Sequence, residues 1–368
     1  MRRKISIIVL LFIWLLVSAV ATGCIATAEQ SEELAFFEQD VPGLINNIDW
    51  AFNNADFTFL FFSDLHNGWR NLDKMIDIAN ATEVGAVINA GDTVLKYLHD
   101  PDTDFSWYPS MVERINAAFL PAVGNHDVWD SAYWQKAESI QSYNMIIFPA
   151  INGLSNVSQP SQAGEQGLCY YYYDNQRIRI MVLNAMAGDD SVEFWDSAQS
   201  EWLEATLDDA LKYKKQVICV THAPFRKDIA LRDPLLNWNS VDDYRVTDDY
   251  DNIHTHMGAV QIVQNYIDDG GTFICWLSGH THVDEVIEAE GYEGQIMFGI
   301  ASARYSFHDD GEITDDKENP QFYCFDLIGV DTKTGLLRRV RLGWNVDKSM
   351  RTRNTMCYDY FNGYIVSD

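Results

Sequence analysis

Basic residues are scarce in this chain. Its 368 residues hold 26 Lys and Arg against 54 Asp and Glu, a formal net charge of −28. Phosphates are repelled at long range by such a chain, which excludes a generic binder of nucleic acid or anionic membrane. No specific nucleic-acid binding is expected. The few basic residues are scattered, so an anionic substrate needs a local cationic centre, and a bound metal is the natural one. Cysteine is sparse too: there are six, and no C-x-x-C spacing that would suggest a zinc knuckle. With Cys24 set apart, five remain, at 169, 219, 275, 324 and 357, and an odd number cannot pair completely within one chain. Cys219 and Cys275 lie inside apolar runs and read as buried free thiols acting as small hydrophobes. The chain has no internal repeat. Its acidic clusters, Asp248-Asp249-Tyr250-Asp251 and Asp309-Asp310, lack the regular spacing of a calcium loop.

What the chain does have is apolar material, 47% of all residues, ample for one large domain or two smaller ones. The first part of it is a targeting segment. Met1-Arg2-Arg3-Lys4 is a positive n-region, Ile5 to Val20 is almost wholly apolar, and Ala21-Thr22-Gly23-Cys24 follows. Small residues ending at a Cys resemble a bacterial lipoprotein cleavage site, with Cys24 lipidated and anchored in the membrane. Ala21 stands where Leu is commonest. An uncleaved anchor and a plain signal peptide are the alternatives. All three place the folded part outside the cytoplasm. The expected boundaries are a signal peptide over 1–23, a tether over 24–55, a domain over 56–345 and a C-terminal extension over 346–368.

Within the domain, apolar runs alternate with helical periodicity. Phe57 to Phe62 is a continuous β-prone run, as for a strand buried on both faces. Leu72, Met75, Ile76 and Ala79 recur at helical spacing, Gly85 to Ala90 is a second strand, and a helix from Tyr108 to Ala117 leads to a third strand at Phe119 to Val123. Such alternation argues for an α/β core. Tyr170 to Tyr173 and Arg177 to Leu183 read as a hairpin, Ser197 to Tyr213 as an amphipathic helix, and Gln216 to Val220 as a strand. Residues 226–256 read as a polar insertion over the site. A helix near Met257 to Ile267 and a strand from Thr272 to Leu277 follow, and the short β-prone runs between Val283 and Val340 suit a second sheet.

Polar groups collect where these strands end. Asp64 and His66 follow the first, Asp92 the second, and Asn125, His126 and Asp127 the third; His222 and then His280 and His282 follow two later ones. Open α/β sheets place their sites at such ends. Two divalent cations need roughly this set of ligands, a carboxylate between them can bridge both, and imidazole with carboxylate suits Zn, Fe or Mn. In the turn Gly124-Asn125-His126-Asp127, Asn offers a neutral oxygen to a hard cation, His can exchange a proton near neutral pH, and Asp can orient that imidazole. The bland reading of the same turn is a helix cap.

Taken in order, Asp64-Leu65-His66, Gly91-Asp92, Gly124-Asn125-His126-Asp127, His222 and Gly279-His280-Thr281-His282 resemble the motif series of the calcineurin-like metallophosphoesterases. The resemblance covers about residues 57 to 300. It implies a four-layer αββα sandwich, two mixed β-sheets flanked by helices, with a dimetal site at the C-terminal ends of the strands. It also implies roles. Asp64, His66 and His282 ligate the first metal, Asp92 bridges, and Asn125, His222 and His280 ligate the second. A metal-bridging hydroxide attacks a phosphomonoester or phosphodiester in line, and His126, oriented by Asp127, protonates the leaving group. Red-purple acid phosphatases carry a Tyr ligand three positions after the bridging Asp; here Leu95 stands there, so a tyrosinate-ligated ferric centre is not expected. The segment Gln199-Ser200-Glu201-Trp202-Leu203 looks like one in purple-acid-phosphatase-like members and reads as a packing helix. The alternative function is a catalytically silent surface-binding lipoprotein that keeps the fold, and the complete ligand set argues against it.

The remaining conspicuous residues read as ordinary. His254 and His256 suit a solvent-facing helix start better than a lid, and His99 and His308 sit in Asp-rich loops. Arg304 follows a strand and could reach a phosphate. Alternating strand faces explain Tyr170 to Tyr173 as well as a stacking platform does. Substrate choice is expected to lie in loops near 95–107, 150–168 and 226–256, which carry no readable code.

Overall fold

The computed structural model describes residues 31, 33–37, 41–66, 68–93, 107–128, 154, 156–158, 170–184, 197–224, 250–280, 282, 284–288, 292, 294–300, 303, 323–343 and 355–366. Two seven-stranded mixed sheets face each other, with helices outside. In the first sheet, β1 (Phe57–Phe62), β2 (Ala86–Asn89) and β3 (Ala118–Pro121) run parallel in that order. On the other side of β1 lies an antiparallel meander of β11 (Cys324–Asp331), β12 (Leu336–Gly343), β13 (Thr355–Asp359) and β14 (Tyr364–Val366). The second sheet has the order β4 (Val157–Ser158), β5 (Tyr171–Asn175), β6 (Ile178–Val182), β7 (Gln216–Val220), β8 (Thr272–Ser278), β10 (Ile296–Gly299) and β9 (Glu285–Glu288). Its four central strands, β6, β7, β8 and β10, are parallel. The expected four layers are therefore present.

Side-chain alternation distributes the core. Ile218 and Val220 of β7 join the larger core with Phe59, Phe61, Leu327 and Val340 of the first sheet. Val217 and Cys219 point the other way, into a second core under α5 (Ser197–Lys212) and α6 (Tyr250–Asp268), with Leu203, Leu207, Val260 and Trp276. Cys219, Cys275 and Cys324 are free thiols, and these three and Cys357 are buried. In the Tyr170–Tyr173 run, Tyr171 and Tyr173 are buried. Tyr172 lies under the Arg179 guanidinium at 3.9 Å, which favours packing over a ligand platform.

Four sequence expectations change. The proposed tether contains α1 (Val41–Phe52), whose Leu44, Ile48 and Ala51 are buried against β11 and β12. Gly329 of β11 permits this approach, since a Cβ there would strike the Ala51 carbonyl. The domain thus begins before residue 56. The proposed C-terminal extension supplies β13 and β14 to the first sheet. Of the β-prone runs after Val283, β9 and β10 enter the second sheet, but β11 returns to pair with the edge of β1 opposite β2, and β12 pairs with β11. Finally, α6 starts at Tyr250, so the last residues of the 226–256 insertion are helix; residues 226–249 lie outside the described residues. Among the described residues no helix is long and apolar enough to cross a membrane, and Ile5 to Val20 lies outside them.

Candidate metal centre

The parallel strands deliver their polar ends to one place. Asp64 and His66 leave β1, Asp92 leaves β2, His126 follows β3 in the short helix α4 (Asn125–Val128), His222 leaves β7, and His280 and His282 leave β8. Five of these residues have left-handed backbone: φ is 56° at Asp64, 46° at His66, 53° at Asp92, 69° at His280 and 56° at His282. Non-glycine residues in this region cost on the order of 1–3 kcal/mol each and persist only where the surroundings impose them. Asp and His tolerate the region better than most. The imposing bonds are visible. Asp64 N donates to Gly91 O at 2.9 Å, His66 N to Asp92 O at 3.0 Å, and Gly279 N to His222 O at 3.0 Å.

Each carboxylate is held by a backbone amide from a facing loop. His280 N donates to Asp64 Oδ2 at 2.9 Å, and His126 N donates to Asp92 Oδ1 at 2.8 Å. The second oxygens face imidazoles. Asp64 Oδ1 is 3.1 Å from His282 Nε2 and 3.7 Å from His66 Nε2. Asp92 Oδ2 is 3.2 Å from His222 Nε2 and 4.0 Å from both His66 Nε2 and His126 Nε2. His66 Nε2 and His282 Nε2 stand 3.1 Å apart, and His280 Nδ1 is 3.2 Å from His222 Nε2. His222 Nδ1 donates to Ala90 O at 2.9 Å, which turns Nε2 toward the carboxylates. The three glycines of the motifs make room for this. A Cβ at Gly124 would strike the Asp92 carboxylate, one at Gly279 would strike Ser63 Oγ, and Gly91 needs φ +110° beside His222.

Three trios result: Asp64, His66, His282; His66, Asp92, His126; and Asp92, His222, His280. Each has its ligand atoms within 4.8 Å of one another. Ligands about 2.1 Å from one cation at right angles to each other stand about 3 Å apart, so the spacings and donor types fit divalent ions. Protonation agrees. Burial, reinforced by the neighbouring His282 and His126, pushes His66 down to about 3. Burial and His222 push His280 down to about 3 as well. Both rings are neutral, as ligands must be. Burial also acts to lower His222, but Asp92 and Asp64 outweigh it and hold the ring up at about 9. Asp92 is drawn down to about 2, because His222 and its other imidazole neighbours overcome the cost of burial. Asp64 is likewise held well below the ordinary carboxylate range by His282 and His222, against burial. His222 Nε2 lies 3.2 Å from Asp92 Oδ2 and 4.0 Å from Asp64 Oδ1, and a cation bound there would take the place of its proton.

All the predicted ligands with described side chains converge here. Asn125 opens α4 beside them, but its side chain lies outside the described residues, as do those of His254 and His256 and the whole of His99, Leu95, Arg304 and His308. Asp127 is fully buried and accepts the Gly124 amide at 2.9 Å, so it holds the turn that carries His126. Gln199 does not enter the centre. Its amide brackets the Asn184 backbone, accepting from N at 2.9 Å and donating to O at 2.8 Å.

With this geometry in hand, comparison with known proteins decides the family. A sequence profile described as calcineurin-like phosphoesterase matches residues 57–284. The chain belongs to that family. This phosphoesterase is metal-dependent, and its two-sheet fold matches solved dimetal phosphatases. A dimetal phosphatase from Danio rerio superposes with a TM-score of 0.52 at 10% identity, covering 83% of this chain and 99% of that one. An archaeal phosphodiesterase gives a TM-score of 0.31 at 12% identity, over 77% and 99% of the two chains. At 10% identity the likeness to the Danio rerio phosphatase is one of fold. A search of curated proteins finds no match.

Proposed function

We propose that the centre takes two divalent cations, Mn, Fe or Zn, and hydrolyses a phosphomonoester or phosphodiester. The observation that carries this reading is that the middle donor trio shares His66 with one of the other two and Asp92 with the other, which sets two candidate cation positions side by side. Asp64, His66 and His282 would hold the first cation, Asp92 would bridge, and His222 and His280, with Asn125, would hold the second. When bound, the cations supply positive charge to the phosphoryl oxygens and acidify a water. They also supply the cationic centre that an acidic chain needs for an anionic substrate.

The remaining chemistry belongs to the chain. The His280 and His126 amides fix one oxygen of each carboxylate and turn the other toward the imidazoles. His126 is more open than His66, His222 and His282, with its side chain 32% exposed against 1%, 0% and 10%. This exposure supports a role for His126 in meeting substrate and giving its proton to the departing alkoxide. Asp127 would orient His126 by holding its turn through the Gly124 amide. We further propose that the enzyme works on the outer side of the cytoplasmic membrane, anchored by lipid on Cys24; the support is the sequence Met1 to Cys24.

Hydrolysis of a chromogenic phosphomonoester and its bis-ester with added Mn²⁺ tests the activity. Turnover of at least one ester is expected, falling to background in Asp92→Asn. Inactivity of the metal-loaded wild type on both would sink the reading. Retention of Cys24→Ala in the membrane fraction would remove the lipid anchor.

A further inference from the structure

A second buried charge cluster lies beside the first. Arg341 of β12 and Asp326 of β11 are paired across the strands, and the guanidinium grips this carboxylate with a fork, Nε to Oδ1 at 2.6 Å and Nη2 to Oδ2 at 3.2 Å. Its remaining arm, Nη1, donates to Asp284 Oδ2 at 2.5 Å. Asp284 belongs to the other sheet, at the entry to β9 and two residues after His282. All three side chains are at least nine-tenths buried. Burial alone would lower Arg341, but Asp284 and Asp326 outweigh it and hold the guanidinium charged.

The connections close into a ring. Asp326 pairs with Phe61 of β1, three residues before Asp64. Asp64 meets His282 at 3.1 Å. From His282 the chain runs to Asp284, from Asp284 to Arg341, and from Arg341 back to Asp326. The ring therefore ties together the two sides of one cation position, Asp64 on the first sheet and His282 on the second. His280 is secured from the opposite side, by Gly279 N to His222 O and by its own amide to Asp64.

We propose that Arg341 is a positioning residue for the metal site of Asp64, His66 and His282, acting through Asp284 on the loop that carries His282. This rests on the dimetal reading above. A planar fork bound to two carboxylates fixes the gap between the sheets in a way a lysine cannot. Supporting residues of this kind set metal affinity by about 10- to 100-fold.

The test is calorimetric titration of Mn²⁺ into the chelator-stripped full chain, with melting temperature measured alongside. Wild type should bind two equivalents. Arg341→Lys and Asp284→Asn should each weaken one binding event by about 10- to 100-fold and leave the other within about twofold. Leu337→Ala, a cavity in the same strand away from the centre, should lower the melting temperature without changing either affinity. If Arg341→Lys is too unstable to purify, Asp284→Asn carries the test. Wild-type affinity for both equivalents in Asp284→Asn would overturn the proposal, as would equal weakening in Leu337→Ala. Fewer than two equivalents in wild type would overturn the dimetal reading itself, and the proposal with it.

Discussion

Two buried charge clusters share this fold, and they differ in where their positive charge comes from. Around Arg341 the carboxylates Asp284 and Asp326 meet guanidinium groups, with Arg339 also 3.7 Å from Asp326. Guanidinium cannot give up its proton, so that cluster is permanently compensated. Around Asp64 and Asp92 the partners are imidazoles, which, unlike guanidinium, can stand neutral and offer a ring nitrogen to a metal. The first cluster can do nothing but hold the sheets in place. The second can exchange its compensating proton for a metal ion. Burial is similar in the two; the exchangeability of the cation separates a structural from a chemical site.

The largest expected effect lies in the exchangeable cluster. His126→Ala should lower turnover by about 10²- to 10⁴-fold, the usual contribution of a general acid. The loss should be greatest for an ester with a poor alkoxide leaving group and small for an activated aryl ester, which leaves without a proton. Mn²⁺ stoichiometry should stay at two. Equal losses for both esters would remove His126 from proton transfer. The permanent cluster should answer differently. Arg341→Met strands two buried carboxylates and should destabilise the fold by about 3–5 kcal/mol in denaturant unfolding of the metal-free protein. A drop in kcat with unchanged unfolding would erase the contrast.

Much of the exchangeable cluster was legible because each ligand follows an apolar run. A polar residue that ends a buried strand has few reasons to be there besides a turn or a ligand, and five such ends in order leave one interpretation. The left-handed backbone at Asp64, His66, Asp92, His280 and His282 was not legible, since it is imposed by bonds between strands far apart in sequence. The permanent cluster was hidden for a related reason. In Arg338-Arg339-Val340-Arg341-Leu342, alternation reads as one wet face and one dry face. Yet α1 covers the outer face of β12 and the second sheet covers the inner one, so Arg339 and Arg341 are buried. α1 itself was read as tether because the residues before it are polar and acidic, although Leu44, Ile48 and Ala51 recur at helical spacing; the groove at Gly329 shows what they pack on. Likewise, nothing in the β11 run states that its partner is β1, some 265 residues earlier, rather than the adjacent second sheet.

A smaller effect tests how tightly the two sheets close over the metal ligands. Gly279→Ala places a methyl group on Ser63 Oγ and against Asp64 Oδ2. Overpacking of this kind costs about 1–3 kcal/mol. Here the strain falls on a ligand, so Mn²⁺ affinity should drop together with stability. In Gly270→Ala, where a Cβ meets nothing within 4 Å but φ is +90°, stability alone should fall. Loss of metal affinity in both variants would mean that general destabilisation, not the Ser63 and Asp64 contact, governs the site.

The smallest effect concerns carboxylates whose main partners are neutral donors. Asp331 accepts Thr334 Oγ1 at 2.6 Å and the Lys333 and Thr334 amides at 3.0 and 3.2 Å. Burial raises its pKa, but these hydrogen bonds outweigh burial and hold it below the ordinary value. The sign follows from the depressed folded-state value. The charged form is favoured in the folded state, so this stabilisation is complete above the unfolded-state pKa, about 4, and is lost as pH falls through the folded one. Asp331→Asn should therefore flatten the acid limb of stability below about pH 4. It should leave Mn²⁺ affinity at pH 7 unchanged, because the turn lies at the far end of β11 from Asp326 and Cys324. A shift in metal affinity from so remote a turn would show that the two clusters are coupled through the whole sheet, and the division between a permanent frame and an exchangeable centre would fail.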